Sequence, residues 1–291
     1  MAITAPGITL AIDALFGNMK PNVDILRKMG MTDFSAEAPG LDIKPGTTMK
    51  VPLSTVTEAL EYNETSNNYL TGGSTEYGTL TATHFLQGYD ISGVDVDKGV
   101  NAPRIKQLFS VRCAGGCSMA MLGVLKTSLN GVTASTGVKI PASTALSDYT
   151  GMAAGCSWLH REMATLVVNG SEWSLIQAAM HAKNLSATKA SAAEELGFAN
   201  VVVLSGMTPR AVIVPAFSMG FVGRVPAIVA NYEQAGSQTD PDSGLTLGLV
   251  VANDQEHNRK VINGDLWFGA IALSSNAGAT TAGIIKVGTA E

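Results

Sequence analysis

Four side chains stand at spacings that could bind a metal. Cys113 and Cys117 are four residues apart, and so are Cys156 and His160. On helices, each pair would present two ligands on one face. Together they would supply the four donors of a tetrahedral zinc site. The competing reading is packing. Structural zinc sites usually draw on tighter knuckles such as Cys-x2-Cys, and a free cysteine behaves as a small buried hydrophobe. The flanking residues are largely apolar, so we read the four as packing residues and expect no metal and no cofactor.

Other chemistry is sparse. The histidines are His84, His160, His181 and His257, and none has a Ser or Cys neighbour in a nucleophile pattern. There is no G-x-S-x-G, Walker loop, G-x-G-x-x-G or H-E-x-x-H. Glu194 and Glu195 are adjacent, so they point to different helix faces. "MGFVGR" holds Gly220-x-x-Gly223, the loop spacing of RNA-binding KH modules. It lacks their flanking helices and basic surface and reads as a turn. No catalytic residue is assigned, and an enzyme is not expected.

The elements that would position any site begin with residues 1–47, an arm. Ile8 to Phe16 and "NVDILRKMGM" read as two short helices within it. "TMKVPLSTVTEALEY" and "TEYGTLTATHFLQGYDISGVDVD" then alternate as strands do. The polar, Gly-rich stretch from Asn63 to Glu76 lies between them, and the three make a long β-hairpin over residues 48–100. Gly88 and Gly93 read as bulge points. Each arm would run to about 14 residues, against a typical strand of about 5–6. A two-stranded ribbon is marginal alone in water, so its partner is expected in another chain.

A helix follows from an N-cap at Asn101 to the stop signal Asn130-Gly131. Gly115 and Gly116 weaken it by about 1 kcal/mol each relative to Ala, and a close backbone contact is the simplest reason to keep them. Met152, Cys156, Leu159, Met163 and Leu166 step by four and three, as on an amphipathic helix. Ser171 to Lys183 and "SAAEEL" ended by Gly197 read as two more. Strands are expected at Asn200 to Ser205, Arg210 to Pro215 and Arg224 to Val229. After the polar loop "NYEQAGSQTDPDSG", further strands are expected at Leu245 to Ala252, Lys260 to Leu273 and Thr281 to Val287. The class is α+β.

Charge is segregated between neighbouring elements. The ribbon carries Glu58, Glu61, Glu64, Glu76, Asp90, Asp95 and Asp97, with Lys50 and Lys98 only at its base. Residues 101–147 carry Arg104, Lys106, Arg112, Lys126 and Lys139 and no acid. One reading is two solvated faces sorted by chance. The other is an acidic ribbon lying on the basic helix of the next subunit. It makes Glu58, Glu61, Glu64, Tyr69, Glu76, Asp90, Arg104, Lys106, Arg112 and Lys126 candidates for intersubunit contact.

Composition points the same way. Of 291 residues, 46% are hydrophobic and 15% charged, where a quarter charged is usual. Such a chain suits burial against other chains better than life as a highly solvated monomer. A net charge of −5 excludes nucleic-acid binding by bulk electrostatics. Three cysteines, an odd number in apolar stretches, give no disulfide framework and suggest a reducing compartment. The first twenty residues lack a basic n-region, and Asp13 interrupts their apolar run, so they do not read as a signal peptide. No apolar run approaches a membrane span.

In its order of segments the chain resembles the major capsid protein of tailed bacteriophages, a fold shared with encapsulin shells. The likeness spans nearly the whole chain and rests on order and texture, including "GLTLGLVVANDQEHNRKVINGDLWFGAIAL" near the end. The resemblance implies an N-terminal arm (1–47) and an extended loop (48–100). A spine helix with a peripheral domain follows (101–147), then an axial domain (148–230) and closing strands that return to the peripheral domain (231–291). It implies a structural protein that assembles with itself into hexamers and pentamers. These close an icosahedral shell around double-stranded DNA, in a virion capsid built in the host cytoplasm, with no membrane. A portal and weak, non-specific DNA contact come with that reading. The short arm starting at Met1 implies a separate scaffolding protein. No lysine stands between Val51 and Asp97, which puts in doubt the loop-lysine isopeptide bond of some relatives. The alternatives are an encapsulin-like compartment shell, a tail or decoration protein, or a cytosolic enzyme using residues 148–230.

Overall fold

The computed structural model describes residues 6–35, 48–53, 76–92, 102–132, 134–140, 164–225, 234–254, 256–257, 259–273 and 284–289. The chain divides into two units: residues 1–49, 80–128 and 220–271 form the first, and residues 50–79, 129–219 and 272–291 the second. Both contain strands and helices, so the class is α+β.

The first unit opens with helix α1 (Pro6–Lys28). Ile12, Leu15, Phe16, Met19, Val23 and Leu26 are buried at the three- and four-residue steps of one helix face. The sequence suggested two short helices here, and there is one. Pro21 lies inside it but on the exposed side. The Gly17 carbonyl it leaves without a partner is on the exposed side too, and the apolar stripe keeps its phase across the break. A proline is tolerated where only the solvent side loses a hydrogen bond. Residues 6–28 are therefore one packed helix.

Helix α1 covers a sheet. Strand β1 (Thr32–Asp33) pairs in parallel with β9 (Met219–Arg224). The order continues through β12 (Arg259–Ala272) and β11 (Thr246–Asp254) to β10 (Gln234–Thr239), with β4 (Thr83–Ser92) on β12. Ile12 packs with Leu249, Val251 and Ile262, and Phe221 stacks on Phe268 at 6.1 Å. Strand β9 is the "MGFVGR" segment expected to be a turn. It is buried along most of its length, as an inner strand must be. Strand β10 lies in what read as a polar loop. Its Gln, Ser and Thr side chains suit an edge strand that alternates between cover and solvent.

The expected ribbon divides at Ala82. Strand β2 (Thr48–Leu53) and strand β3 (Glu76–Thr81) form a two-stranded sheet. Beyond Ala82, β4 leaves its hairpin partner and pairs with β12 over ten residues, from Ser92 opposite Arg259 to Thr83 opposite Phe268. The partner of "THFLQGYDIS" is thus in the same chain. Leu80 and Ala82 are buried, but Leu86, two steps further along the alternation, is 59% exposed. The phase of the alternation changes within β4: Thr83 is exposed and His84 partly buried, as before Ala82, while further on Gln87 and Tyr89 are the more covered side chains and Leu86 and Asp90 the exposed ones. Gly88 holds register opposite Asn263 with no bulge. A Cβ there would collide with the Asn263 side chain.

Helix α2 (Ala102–Asn130) is the long helix expected. Its two adjacent glycines, Gly115 and Gly116, differ. A Cβ on Gly116 would meet the Gln87 side chain at 2.6 Å, while Gly115 faces open space. A second close approach comes from the strand: a Cβ on Gly264 would sit 2.9 Å from Cys113 Cβ. Gly264 is what lets β12 come up to the Cys113 side of α2.

The second unit holds a five-stranded sheet in the order β5 (Ala134–Ile140), β13 (Ile285–Thr289), β8 (Ala211–Val214), β6 (Thr165–Val168) and β7 (Asn200–Val203). β6 and β7 run parallel, which requires a crossover. Helices α3 (Gly170–Ala182) and α4 (Lys189–Leu196) supply it. Ile176, Met180 and Leu196 pack on Leu166, Val168, Val201 and Ile213. Asn169 caps α3 by accepting from Glu172 N, two residues before the expected cap. Gly197 ends α4 in the left-handed region, where glycine is favoured. Leu166, expected on a helix, lies in β6. The rest of that expected helix, Met152 to Met163, falls outside the described residues.

Candidate functional site

The structure places only some of the candidate contact residues. Glu58, Glu61, Glu64 and Tyr69 lie outside the described residues. Glu76 begins β3, and Arg104 and Lys106 stand in the first turns of α2. Asp90, Arg112 and Lys126 are the ones with described surroundings.

Asp90 and Arg112 are engaged within their own chain. Asp90, on β4, forms an ion pair with Arg259 of β12, a diagonal neighbour across the ladder. Both are partly exposed, at 51% and 37%, so the pair is screened and weak. The Arg112 guanidinium lies 5.7 Å from the Tyr89 ring centre, a cation–π contact near the edge of useful range. Arg112 stays exposed, and that contact leaves its hydrogen-bond donors free to turn outward.

Sequence reasoning missed an apolar surface in the first unit. On α2, Leu108 is 52%, Val111 43% and Met119 72% exposed. The signal was present: apolar residues stand all round this helix, more than one core-facing stripe requires. Leu86 on β4 adds to the exposed apolar area. Among the described residues of the second unit, Tyr77, Leu175 and Phe217 are the exposed large apolar side chains.

The half of the proposed zinc set that is described is buried. Cys113 and Cys117 are 0% and 1% exposed. Cys113 donates its thiol hydrogen to the Gln87 carbonyl at 3.1 Å. Burial pushes the Cys117 thiol up to about 12, with the charges of Cys113 and Asp265 adding to it. Zinc binds the thiolate, which this setting disfavours. Cys156 and His160 lie outside the described residues. Among the described residues no group of three His, Cys, Asp or Glu is placed to hold a metal.

One histidine–carboxylate pair is present. His84 Nε2 lies 2.5 Å from Asp265 Oδ1, and the imidazole stacks on Trp267 at 5.2 Å. Trp267 is directly opposite His84 in the β4–β12 ladder, so the cluster is a cross-strand tie. Burial raises the Asp265 carboxyl above its usual range, partly offset by His84. Elsewhere in the unit, Lys20 on α1 reaches Asp240 at 2.9 Å and Asp242 at 2.8 Å, beyond the end of β10. These contacts fasten elements together and assemble no reacting group. Among the described residues no helix is long and apolar enough to cross a membrane.

No family model and no curated protein matches this sequence. Solved structures do. The chain is similar to a virus-like particle from Pyrococcus furiosus, with 10% identity, a TM-score of 0.49, and 96% of this chain and 98% of that one covered. It is similar to the capsid of the cyanophage P-SCSP1u, with 10% identity, a TM-score of 0.46, and 90% and 86% covered. A structure from Mycobacterium phage Adephagia gives 12% identity, a TM-score of 0.46, and 93% and 90% covered. All three TM-scores are below 0.5, and the functional reading rests on the chain itself.

Proposed function

We propose that this chain is the major capsid subunit of a tailed bacteriophage. It would self-associate into hexamers and pentamers that close an icosahedral shell around double-stranded DNA. The observation that carries this reading is the path of the chain. It builds α1 and β1 of the first unit, leaves through a hairpin and returns as β4 and the 29-residue helix α2. It then builds most of the second unit and comes back with β9 to β12 to complete the first sheet. That interleaving supports the order of arm, extended loop, spine helix, axial domain and returning strands. The exposed Leu108, Val111 and Met119 support it further, because isolated monomers seldom keep so much apolar surface on one element.

The role is structural. The tight polar contacts described above are ties between elements, and the low charge content suits a surface largely hidden in an assembly. A separate scaffolding protein, a portal, non-specific contact with packaged DNA and assembly in a host cytoplasm belong to the same proposal.

Light scattering and negative-stain electron microscopy of the purified chain test it. Capsomers or megadalton shells are expected, and a stable monomer at all concentrations would refute it. Genome-length, nuclease-protected DNA inside shells recovered from the native source is the result expected of a capsid. Shells enclosing a protein cargo would point instead to a cellular compartment.

A further inference from the structure

The turn between β8 and β9 carries a residue at odds with its position. Ser218 N donates to Pro215 O at 3.2 Å, and Ser218 Oγ donates to the same carbonyl at 2.6 Å. The four residues Pro215 to Ser218 thus form a closed turn. Its third position is Phe217, with φ +63°, the place where a turn of this shape takes glycine or asparagine. A phenylalanine there carries backbone strain. It also carries an exposed ring, for Phe217 is 66% exposed.

Nothing local forces that ring outward for the sake of the core. Pro215, Ser218 and Met219 are buried, and Leu273 N donates to Ser218 O at 2.8 Å. The feet of the turn are held from below without the Phe217 side chain. Glycine would relieve the strain and remove the apolar exposure at once. A residue that keeps both penalties in a rigid, anchored turn is a knob held out for a surface.

We infer that Phe217 is an aromatic anchor that inserts into a second copy of this chain. The inference rests on the shell reading and names one contact of it. The occupant is a second copy because a chain with 46% hydrophobic and 15% charged residues is built to bury surface on its own kind. In a homo-oligomer every copy also presents the same knob, so one residue yields a repeated contact. Aromatic side chains are enriched in the buried centres of such interfaces, where single truncations weaken association most.

The test compares the full-length wild type with Phe217→Gly, Phe217→Asn and Phe217→Tyr. Assembly is followed by light scattering, and the melting of unassembled subunits is followed at low concentration. Gly and Asn are expected to raise the concentration needed for assembly at least about tenfold. Their subunits should melt within about 3 °C of wild type, or higher, because the strain is gone. Tyr should assemble nearly as wild type. Normal assembly of Phe217→Gly overturns the inference. So does a large drop in its subunit melting temperature, which would make Phe217 a folding residue. A wild type that never assembles refutes the shell reading itself, and the wild-type arm reports that separately.

Discussion

Arg210 grips Glu172 with two hydrogen bonds, Nε to Oε2 at 2.6 Å and Nη2 to Oε1 at 3.1 Å. Glu172 is 1% exposed and stands in the first turn of α3, where its backbone N–H donates to the Asn169 side chain. Arg210 leads into β8, and its carbonyl accepts from Asn169 N. The pair therefore fastens the start of the crossover helix to the sheet beneath it. Arg210→Met would leave a buried carboxylate without its cation. Removing one partner of a buried pair costs roughly 3–5 kcal/mol. Arg210→Met combined with Glu172→Gln should recover much of that loss, because the buried charge is gone too. Thermal unfolding of both variants checks this, and equal destabilisation would show that Arg210 matters for packing alone.

The glycines of α2 and β12 give a second contrast. Gly264→Ala would press its methyl against Cys113 Cβ, with Cys117 Sγ at 3.4 Å and Leu15 Cδ1 at 3.6 Å. Overpacking of this kind costs typically 1–3 kcal/mol. Gly115→Ala meets open space and should stabilise by about 0.5–1 kcal/mol through helix propensity. Chemical denaturation orders the three proteins, with Gly115→Ala above wild type and Gly264→Ala below.

Much of the first unit was legible because its signals are local. The N-cap region near Asn101 and the Asn130-Gly131 stop delimit α2, and the apolar runs read as strands at Leu245 to Ala252 and Lys260 to Leu273 fall on β11 and β12. Pro21 misled because a proline signals a break in sequence, whereas the buried stripe from Phe16 to Val23 decides whether the helix survives it. β9 was hidden by Gly220 and Gly223, which read as loop residues until they are placed inside a sheet. The pairing of β4 with β12 joins residues about 180 apart in sequence, and alternation alone cannot say which strand is the partner. Phe217 left no local trace, since its strain lies in a backbone angle that composition does not encode.

Acid should loosen the tie between α1 and the end of β10. Burial alone would raise the Asp240 carboxyl, but hydrogen bonds from Lys20 and Ser243 outweigh it and hold the group below its usual range. Lys20 is raised by its hydrogen bond to Asp242 first and Asp240 second. A depressed carboxylate contributes stability that is present above its unfolded value and is lost as pH falls through the folded value. The loss therefore begins within the ordinary carboxylate range, where the unfolded chain takes up its proton, and is complete only below the depressed folded value. Asp240→Asn should melt lower than wild type near neutral pH and converge with it in acid. A constant gap between the two melting curves across that range would contradict the linkage.

Native thiol chemistry checks the burial of Cys117. With its thiol pushed up to about 12, the thiolate fraction at pH 8 is about one in ten thousand. Iodoacetamide should therefore leave Cys117 unmodified in folded protein and label it fully in denaturant, as read by peptide mass spectrometry. Rapid native labelling would mean that the helix opens or that the site is wetter than its 1% exposure implies.

The last prediction concerns Arg112, where own-chain and neighbour contacts can be told apart. Asp90 already has Arg259, so Asp90→Asn removes an exposed in-chain pair worth about 0.2–1 kcal/mol and should leave assembly near normal. Arg112 has only the Tyr89 ring beneath it among its described contacts, and its charge is available to a neighbouring subunit. If acidic residues of the loop, such as Glu58 or Glu61, lie against it there, Arg112→Glu should impair assembly of empty shells. A compensating Glu58→Lys or Glu61→Lys should then restore part of it. Arg112→Lys would keep the charge and lose only the planar stacking, so it should assemble better than the Glu variant. Added salt should weaken wild-type assembly and matter less in Arg112→Glu, because exposed charges are screened beyond about 10 Å at 0.1 M. The rival use of the same cation is contact with packaged DNA, which is salt-sensitive as well. Empty shells that form normally from Arg112→Glu, with only their DNA content changed, would refute the pairing and assign the residue to the nucleic acid.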